Sequence, residues 1–575
     1  MSMFALDFES HYDPKAGYAL GKMPTMQYIR DARWQCLGCA VRGQGWDEYA
    51  PPDVLPQLFD QVTWGQTTAI AHNALFDGAV LAERYGHRPK GWVDTAMVAK
   101  YAISQGWAPA DARTNLAWWG DHYGVPKGDT RAAVDAGGEA LAEYAMRDVD
   151  IMLRILQEYL PRVPTMEREL MDLHVRMAAE PVLALDTDKL QQAADTTPPE
   201  ASVKLRKAKV FAEALRALGV EPERKVSPRT GRPAYAFAKK DAFMQRLATH
   251  RDPRIRKLHA LRCGGTSNLL VQRAARFLAV GEPLPVPLWY YGGHTGRASG
   301  ADKLNLQNMP RKGPLRESVM APPGHKLIVV DLAQIEVRVL AWLAGEEWLL
   351  GAFRQGADVY RVFASRYLFP GTAYDAVTDE QRRIAKAAVL ALGFGQGANG
   401  FQEYCRIFGI EITHRRAQEV VTVYRQAHPN VVALWGRCMD SVLRYGYQEL
   451  PTGRRLTYPD MENEGREVFF HRHQVFSKQY VGKRDRIKLW PGLLTENLVQ
   501  ALARDVVMHQ TLTLHRAGLK VALSVHDEAV LVVRDDEVPG AREFVDRTFA
   551  TAPEWAPGLP VQGESHVVER YAEAK

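Results

Sequence analysis

The chain has 575 residues, a formal net charge of +6 and a pI near 8.9. That length is too great for one core, so roughly three or four domain-sized units are expected. Its 46% hydrophobic and 24% charged residues are ordinary for a globular protein. They leave no apolar run of about 18 residues for a membrane helix, no basic, apolar signal-peptide start in MSMFALDFES, and five cysteines that do not form a disulfide framework. Cys36 and Cys39 make one CxxC with no second pair, and we read them as two small core residues of a hairpin.

Residues 3–9, MFALDFE, alternate as a strand does. A period of two puts Asp7 and Glu9 on one face. Two adjacent carboxylates repel unless a cation such as Mg²⁺ neutralises them; taken alone, they read equally as exposed acids on a half-buried strand. A short apolar strand in TTAIA, 67–71, leads to Asn73, and a helix opens near Phe76–Asp77. Residues 140–160 form a helix in which Tyr144 and Asp148, four apart, share a face.

DxE, NxxFD and YxxxD in that order resemble the 3′–5′ proofreading exonuclease domain of the acidic, tyrosine-containing type. The resemblance implies an RNase H-like fold over 1–160. It also implies that Asp7, Glu9, Asp77 and Asp148 hold two metal ions and that Tyr144 orients the attacking water. Two ions supply both a nucleophile and a stabilised leaving oxygen for phosphodiester cleavage.

Residues 151–180 read as one long helix or a helix pair, broken around Pro161 and Pro164, the expected boundary of this domain. TTPPEA at 196–201 is a loop. Residues 201–260 hold 16 Lys/Arg against 5 Asp/Glu, a balance that suits a polyanion and equally a solvated helical face. Helical segments at 201–219 and 240–280 flank a turn-rich, basic link, VSPRTGRPAYAFAKK. We expect this region to grip duplex backbone, with Lys204, Lys207, Arg251 and Arg254 as phosphate contacts.

Further on, HKLIVVDLAQIEVRVLAWLAG at 325–345 predicts a buried strand, Leu327–Val330, ending in Asp331, then a turn and an amphipathic helix from near Gln334. KVALSV-HDE-AVLVVR predicts a β-hairpin that carries Asp527 at its tip, where it faces Asp331. Arg382, Lys386, Leu390 and Phe394 recur every four residues and so line one helical face. Two cations at one end of that face suit a triphosphate.

TGR-x-S and LNLQNMP, with DxxQIExR, QRRIAKAAVLALGFGQGANGF, ENLVQALARD and LSVHDEAVLVV, closely resemble the family A DNA polymerases. With the nuclease motifs the likeness covers nearly the whole chain. It implies a mixed α/β chain in which the exonuclease is followed by a right-hand polymerase. The expected division is a helical thumb at 161–288, palm at 289–340, helical fingers at 341–450 and an antiparallel palm sheet resuming at 451–575. A basic, aromatic-bearing insertion at 460–492 reads as a β-hairpin cover, with a grip on DNA or a partner as the alternative.

By resemblance, Asp331, Asp527 and the Leu332 carbonyl hold two Mg²⁺ ions, with Mn²⁺ as the alternative, and Glu528 is secondary. Arg382 takes the terminal phosphate and Lys386 the phosphate nearest the sugar, with a further role for Lys386 near the leaving group. Leu390 stands where an aromatic is usual and Phe394 where a tyrosine is usual, and the leucine makes sugar discrimination the property to watch. Glu336 holds the steric-gate position that excludes a ribose hydroxyl. Gln334, Arg297, Gln307, Asn308 and Gln500 face the incoming nucleotide, primer or template. Gly395 lies beside the templating base and His526 at the primer end.

The expected function is primer extension with deoxynucleotides plus proofreading, in phage-type replication, by a monomer in bacterial or infected-host cytoplasm that acts on primer–template DNA. No 5′-nuclease domain is expected, and a processivity partner is left open. A single-subunit RNA polymerase shares the palm logic, but Glu336 and the nuclease acids argue against it. An end-processing nuclease with a decayed polymerase half is disfavoured by the retained Asp331, Asp527, Arg382 and Lys386.

Overall fold

The computed structural model describes residues 2–109, 111–196, 204–227, 232–238, 241–264, 268–471 and 486–574. Among these, no helix is long and apolar enough to cross a membrane. The chain forms two compact units. One joins Met1–Ala184, Glu282–Met309 and Met320–Lys575; the other joins Leu185–Gly281 and Pro310–Val319.

The first unit opens with a five-stranded sheet of order β3-β2-β1-β4-β5, from β1 (Ser2–Ser10), β2 (Cys36–Gly43), β3 (Trp46–Ala50), β4 (Thr67–Ala71) and β5 (Gly91–Asp94). β1 is central, antiparallel to β2 and parallel to β4. Phe4, Ala5, Leu6 and Phe8 are buried, so β1 is covered on both faces, as a central strand between helices must be. Cys36 and Cys39 lie in the β2–β3 hairpin as free thiols, Cys39 fully buried.

Helices α1 (Leu75–Tyr85), α2 (Gly138–Tyr159) and α3 (Thr165–Ala179) pack around this sheet. A 3₁₀ turn at Leu160–Arg162 separates α2 from α3, as the two prolines require. The boundary expected at 160–161 is not a break in packing. α3 lies against α1 at Gly78, where a Cβ would come within 3.1 Å of the Ala179 methyl.

The same unit holds a four-stranded antiparallel sheet of order β7-β8-β6-β9, from β6 (His325–Leu332), β7 (Lys520–Val525), β8 (Glu528–Arg534) and β9 (Gly563–Val568). Leu327–Val330 is buried throughout. The strand runs past Asp331 to Leu332, one residue beyond the expected end. α4 (Ile335–Ala344) follows, with Gln334 in left-handed conformation as its N-cap and no side-chain cap. α5 (Asp379–Leu392) starts on a capping box between Thr378 and Gln381. Its core joins Ala385, Ala388 and Leu392 to Val337, Phe363, Phe401 and Tyr424.

The 26-residue α6 (Pro491–Arg516) crosses from this region to the N-terminal half. Its Arg504 pairs with Glu167 of α3, and its Asp505 with Arg454 at 2.9 Å. Tyr290 donates to Glu167 at 2.5 Å and Arg454 to the Tyr291 hydroxyl at 2.6 Å. Gln105 bonds the Arg455 backbone in both directions, at 2.7 and 3.2 Å. All these charges are buried, and each is paired, as burial demands.

The insertion is a three-stranded antiparallel sheet, Glu462–Glu464, Glu467–His471 and Arg486–Leu489, with 472–485 outside the described residues. Arg486 pairs with Glu462 and Glu464, and Lys488 with Glu467, so these cations are matched within the sheet.

The second unit is helical, with a core of Phe211, Phe237, Phe243, Met244 and Leu247. The basic link contains a short hairpin, Arg224–Val226 with Pro233–Tyr235. Most of the loop at 196–201 lies outside the described residues. Lys204, Lys207, Arg251 and Arg254 are exposed, but the Arg254 guanidinium is already tied to Asp252 at 2.7 Å.

Candidate active sites

β1 delivers the first acids. Asp7 sits opposite Ala40 and Glu9 opposite Gly38 on β2, so both project from one face. α2 lies over that face and brings Tyr144 and Asp148, four residues apart, onto it. Carboxylate oxygens of Asp7, Glu9 and Asp148 lie within 4.8 Å of one another.

Asp77 comes from the first turn of α1, after Asn73 in left-handed conformation. Asp94 fixes that turn: its carboxylate accepts the Asn73 and Ala74 N–H groups at 3.0 Å each and also caps the next helix. One Asp77 oxygen accepts the Phe8 N–H at 3.0 Å, and Asp77 is not among the three converging acids.

Burial, then repulsion from Glu9 and Asp148, pushes the Asp7 carboxyl well up. Burial and Asp148 push Glu9 to about 7. Burial also raises Asp77 and Asp148. Among the described residues, Asp7 Oδ2 and Asp148 Oδ1 are buried without a hydrogen-bond partner. Oxygen donors, mutual repulsion and unused buried oxygens together fit a hard divalent cation.

Reading the motifs alone missed Lys127, whose ammonium bonds Asp148 Oδ2 and lies 4.8 Å from the centre of the Tyr144 ring. It missed Thr130 too, whose hydroxyl meets that of Tyr144 at 2.7 Å.

The second site lies at the carboxyl end of β6. Asp331 is paired across to Glu528 on β8 and to Glu564 on β9. A two-residue turn, His526–Asp527, joins β7 to β8, with His526 at φ 51°; positive φ at the first turn position suits such a hairpin. The Leu332 N–H donates to the Asp527 carbonyl at 3.1 Å, which locks the hairpin tip beside the end of β6. Glu528 is buried and accepts from the Tyr571 hydroxyl.

Around this point Gln307 donates to the Ser524 carbonyl at 3.3 Å. The Asn308 N–H donates to Asn305 at 3.2 Å. Arg297 pairs with Glu336 at 2.5 Å. Gln500 donates to Glu496 at 3.2 Å, and burial followed by the Glu336 charge raises the Glu496 carboxyl.

On α5, Arg382 pairs with Asp358 at 2.6 Å, and Arg382 and Lys386 lie 5.5 and 5.8 Å from the centre of the Tyr360 ring. Asp358 and Tyr360 were not singled out in the sequence, because their partners lie more than twenty residues on. Leu390 packs at the edge of the helical core. Phe394 lies two residues past the end of α5 at Leu392. Gly395, at φ 75°, faces Gly492 at the start of α6.

A family model described as DNA polymerase family A matches residues 289–573. The DNA polymerase of Bacillus phage SP02 is 30% identical over 45% of this chain and 43% of its own length. DNA polymerase I of Pseudomonas aeruginosa is 32% identical over 42% of this chain and 25% of its own. The thermostable DNA polymerase I of Thermus aquaticus is 29% identical over 49% and 31%. The matches thus span less than half the length of these relatives. A solved structure described as the POL domain of Pol1 from M. smegmatis in complex with DNA primer-template and dNTP superposes with TM-score 0.70 at 20% identity, over 100% of this chain and 96% of that one.

Proposed function

Residues 289–573 of this chain belong to DNA polymerase family A, and from that premise we propose that the protein extends a primer 3′ end with deoxynucleotides on a DNA template and removes mispaired ends by 3′–5′ excision. The observation that carries the synthetic half is Asp331 on the central strand with the Asp527 tip locked beside it through Leu332. The excision half rests on the convergence of Asp7, Glu9 and Asp148.

Asp331, Asp527 and the Leu332 carbonyl would hold divalent ions in one site, and Asp7, Glu9, Asp77 and Asp148 in the other, with Mg²⁺ or Mn²⁺ as the suitable hard cations. Such ions, when bound, lower the pKa of the attacking hydroxyl or water and neutralise charge on the phosphoryl oxygens.

The chain's own residues do the rest. Arg382 and Lys386 bind the triphosphate and steady the leaving group, and Arg382 gives up Asp358 to do so. Glu336, held by Arg297, fills the space of a ribose 2′-hydroxyl. Gln334, Leu390 and Phe394 shape the nucleotide pocket. Arg297, Gln307, Asn308, Gln500 and His526 line the primer–template minor groove and primer end, where contacts read shape rather than sequence. Gly395 leaves room for the templating base. In the excision site Tyr144 orients water.

The division into exonuclease at 1–160, thumb at 161–288, palm at 289–340 and 451–575 and fingers at 341–450 is part of this reading. So is a replicative role of the phage type in bacterial or infected-host cytoplasm, which the SP02 relative favours.

A 5′-labelled primer on a longer template, with Mg²⁺, tests both halves. Lengthening with the four deoxynucleotides and shortening without them is expected. Asp331→Asn should stop only lengthening and Asp7→Ala only shortening. Loss of both activities from either substitution overturns the two-site reading.

A further inference from the structure

The acidic cluster is flanked by a loop that none of its motifs contains. Residues 126–130 run beside α2 and touch it three times. The Pro126 carbonyl accepts from Arg147 at 3.5 Å. The Lys127 ammonium bonds Asp148 Oδ2 while lying 4.8 Å from the Tyr144 ring centre. The Thr130 and Tyr144 hydroxyls meet at 2.7 Å.

The loop is itself held in place. The Val125 N–H donates to the Gly120 carbonyl at 2.8 Å, and a Cβ on Gly120 would come within 2.6 Å of the Val125 carbonyl oxygen. Gly128, at φ 85°, makes the bend between Lys127 and Thr130. Asp129 caps the short helix that follows. One rigid loop therefore grips both the acid and the phenol that α2 presents.

Resting on the reading of this cluster as a metal-dependent excision site, we propose that Lys127 is a positioning residue that shares Asp148 with the divalent ion. Its ammonium competes with the ion for Asp148 Oδ2 and, together with Thr130, fixes Tyr144 relative to Asp148. Three carboxylates with oxygens within 4.8 Å of one another offer more oxygen donors than one ammonium occupies, so an ion still binds beside the lysine, displacing the protons that their mutual repulsion retains. Removing the lysine charge deepens the negative field that the ion meets and frees Tyr144 to move.

The test uses the full chain with Asp331→Asn and Asp527→Asn, so that calorimetric Mn²⁺ titration reports the N-terminal cluster. Lys127→Met should tighten Mn²⁺ binding by about tenfold, Lys127→Arg should restore the parent affinity, and Thr130→Val should leave it unchanged. In the chain with intact palm acids, Lys127→Met and Thr130→Val should each slow excision of a mismatched 3′ end at saturating Mn²⁺ by about tenfold, with primer extension unchanged as proof of an intact fold. Should Lys127→Met not extend primers, Lys127→Gln replaces it in the same measurements.

Equal Mn²⁺ affinity in the parent and the neutral variant, or full excision by the neutral variant at saturation, overturns the proposal while the excision site stands. A parent chain that neither binds Mn²⁺ at the cluster nor excises overturns the underlying reading as well.

Discussion

In the proposed polymerase site, single side chains would set nucleotide selectivity. Glu336 stands in the first turn of α4 with its carboxylate held by Arg297 at 2.5 Å. A side chain fixed at its far end is a firmer obstacle than one free to rotate, because yielding also breaks a charge-assisted bond. Glu336→Ala should therefore admit ribonucleotides at least about tenfold better relative to deoxynucleotides, the equivalent of about 1.4 kcal/mol in the transition state. Competitive incorporation on one template measures that ratio, and an unchanged ratio removes Glu336 from sugar selection. Leu390 lies one helical turn beyond Lys386, partly buried against the helical core. An aromatic ring there would offer a flat face toward the 3′ side of the sugar. Leu390→Phe should shift the dideoxy-to-deoxy incorporation ratio severalfold, and identical ratios in the two enzymes would sink the idea.

At the scale of elements, the junction between α5 and α6 leaves no room for a side chain at Gly492. A Cβ on Gly492 would sit 1.9 Å from the Phe394 carbonyl oxygen and 2.1 Å from the Trp490 ring. The obstructing oxygen is backbone, so the loop after α5 must shift as a whole. Gly492→Ala should cost about 1–3 kcal/mol as overpacking and cut primer extension more than excision; a thermal melt and the labelled-primer assay read the two effects. This junction also marks what the sequence could and could not disclose. Spacing by four placed Arg382, Lys386 and Leu390 within α5, but it could not show that the helix stops at Leu392, before Phe394, because periodicity says nothing of where the helical hydrogen bonds end. The N-terminal acids were legible, since strand alternation places Asp7 with Glu9 and helical spacing places Tyr144 with Asp148. Lys127 was not: it reaches Asp148 across 21 residues with no periodicity between them. Asp358 was hidden for the same reason, 24 residues from Arg382.

Across the whole molecule, the N-terminal half is joined to the long helix by buried charge. Glu167 and Arg504 are 337 residues apart in sequence, a pairing no local pattern announces. Burial alone would raise the Glu167 carboxyl, but Arg504 and Arg454 outweigh it and hold that carboxyl at about 2. An acid held below its unfolded value stabilises the fold above about pH 4.5, and that contribution is lost as pH falls through about 2, here about 3 kcal/mol in all. His174 beside it behaves differently. Burial, then Arg504, depresses its imidazole to about 4, and burial does the same to His428 in the helical core. The unfolded chain takes up these protons near pH 6.5 and the folded chain does not, so stability falls between about pH 6.5 and 4. These two imidazoles therefore subtract stability over that window, while the raised Asp7, Glu9 and Asp77 carboxyls add it as they take up protons, so the decline to look for is the loss of the Glu167 contribution below about pH 4.5. Glu167→Gln removes one partner and leaves Arg504 and Arg454 buried with Asp505 alone, which should cost about 3–5 kcal/mol at pH 7 and abolish most of the decline below about pH 4.5 while leaving the profile above it unchanged in shape. Melts of both proteins from pH 7.5 to 3 test this. A variant as stable as the parent at pH 7 would mean that the buried pairs contribute nothing net to holding the two halves together.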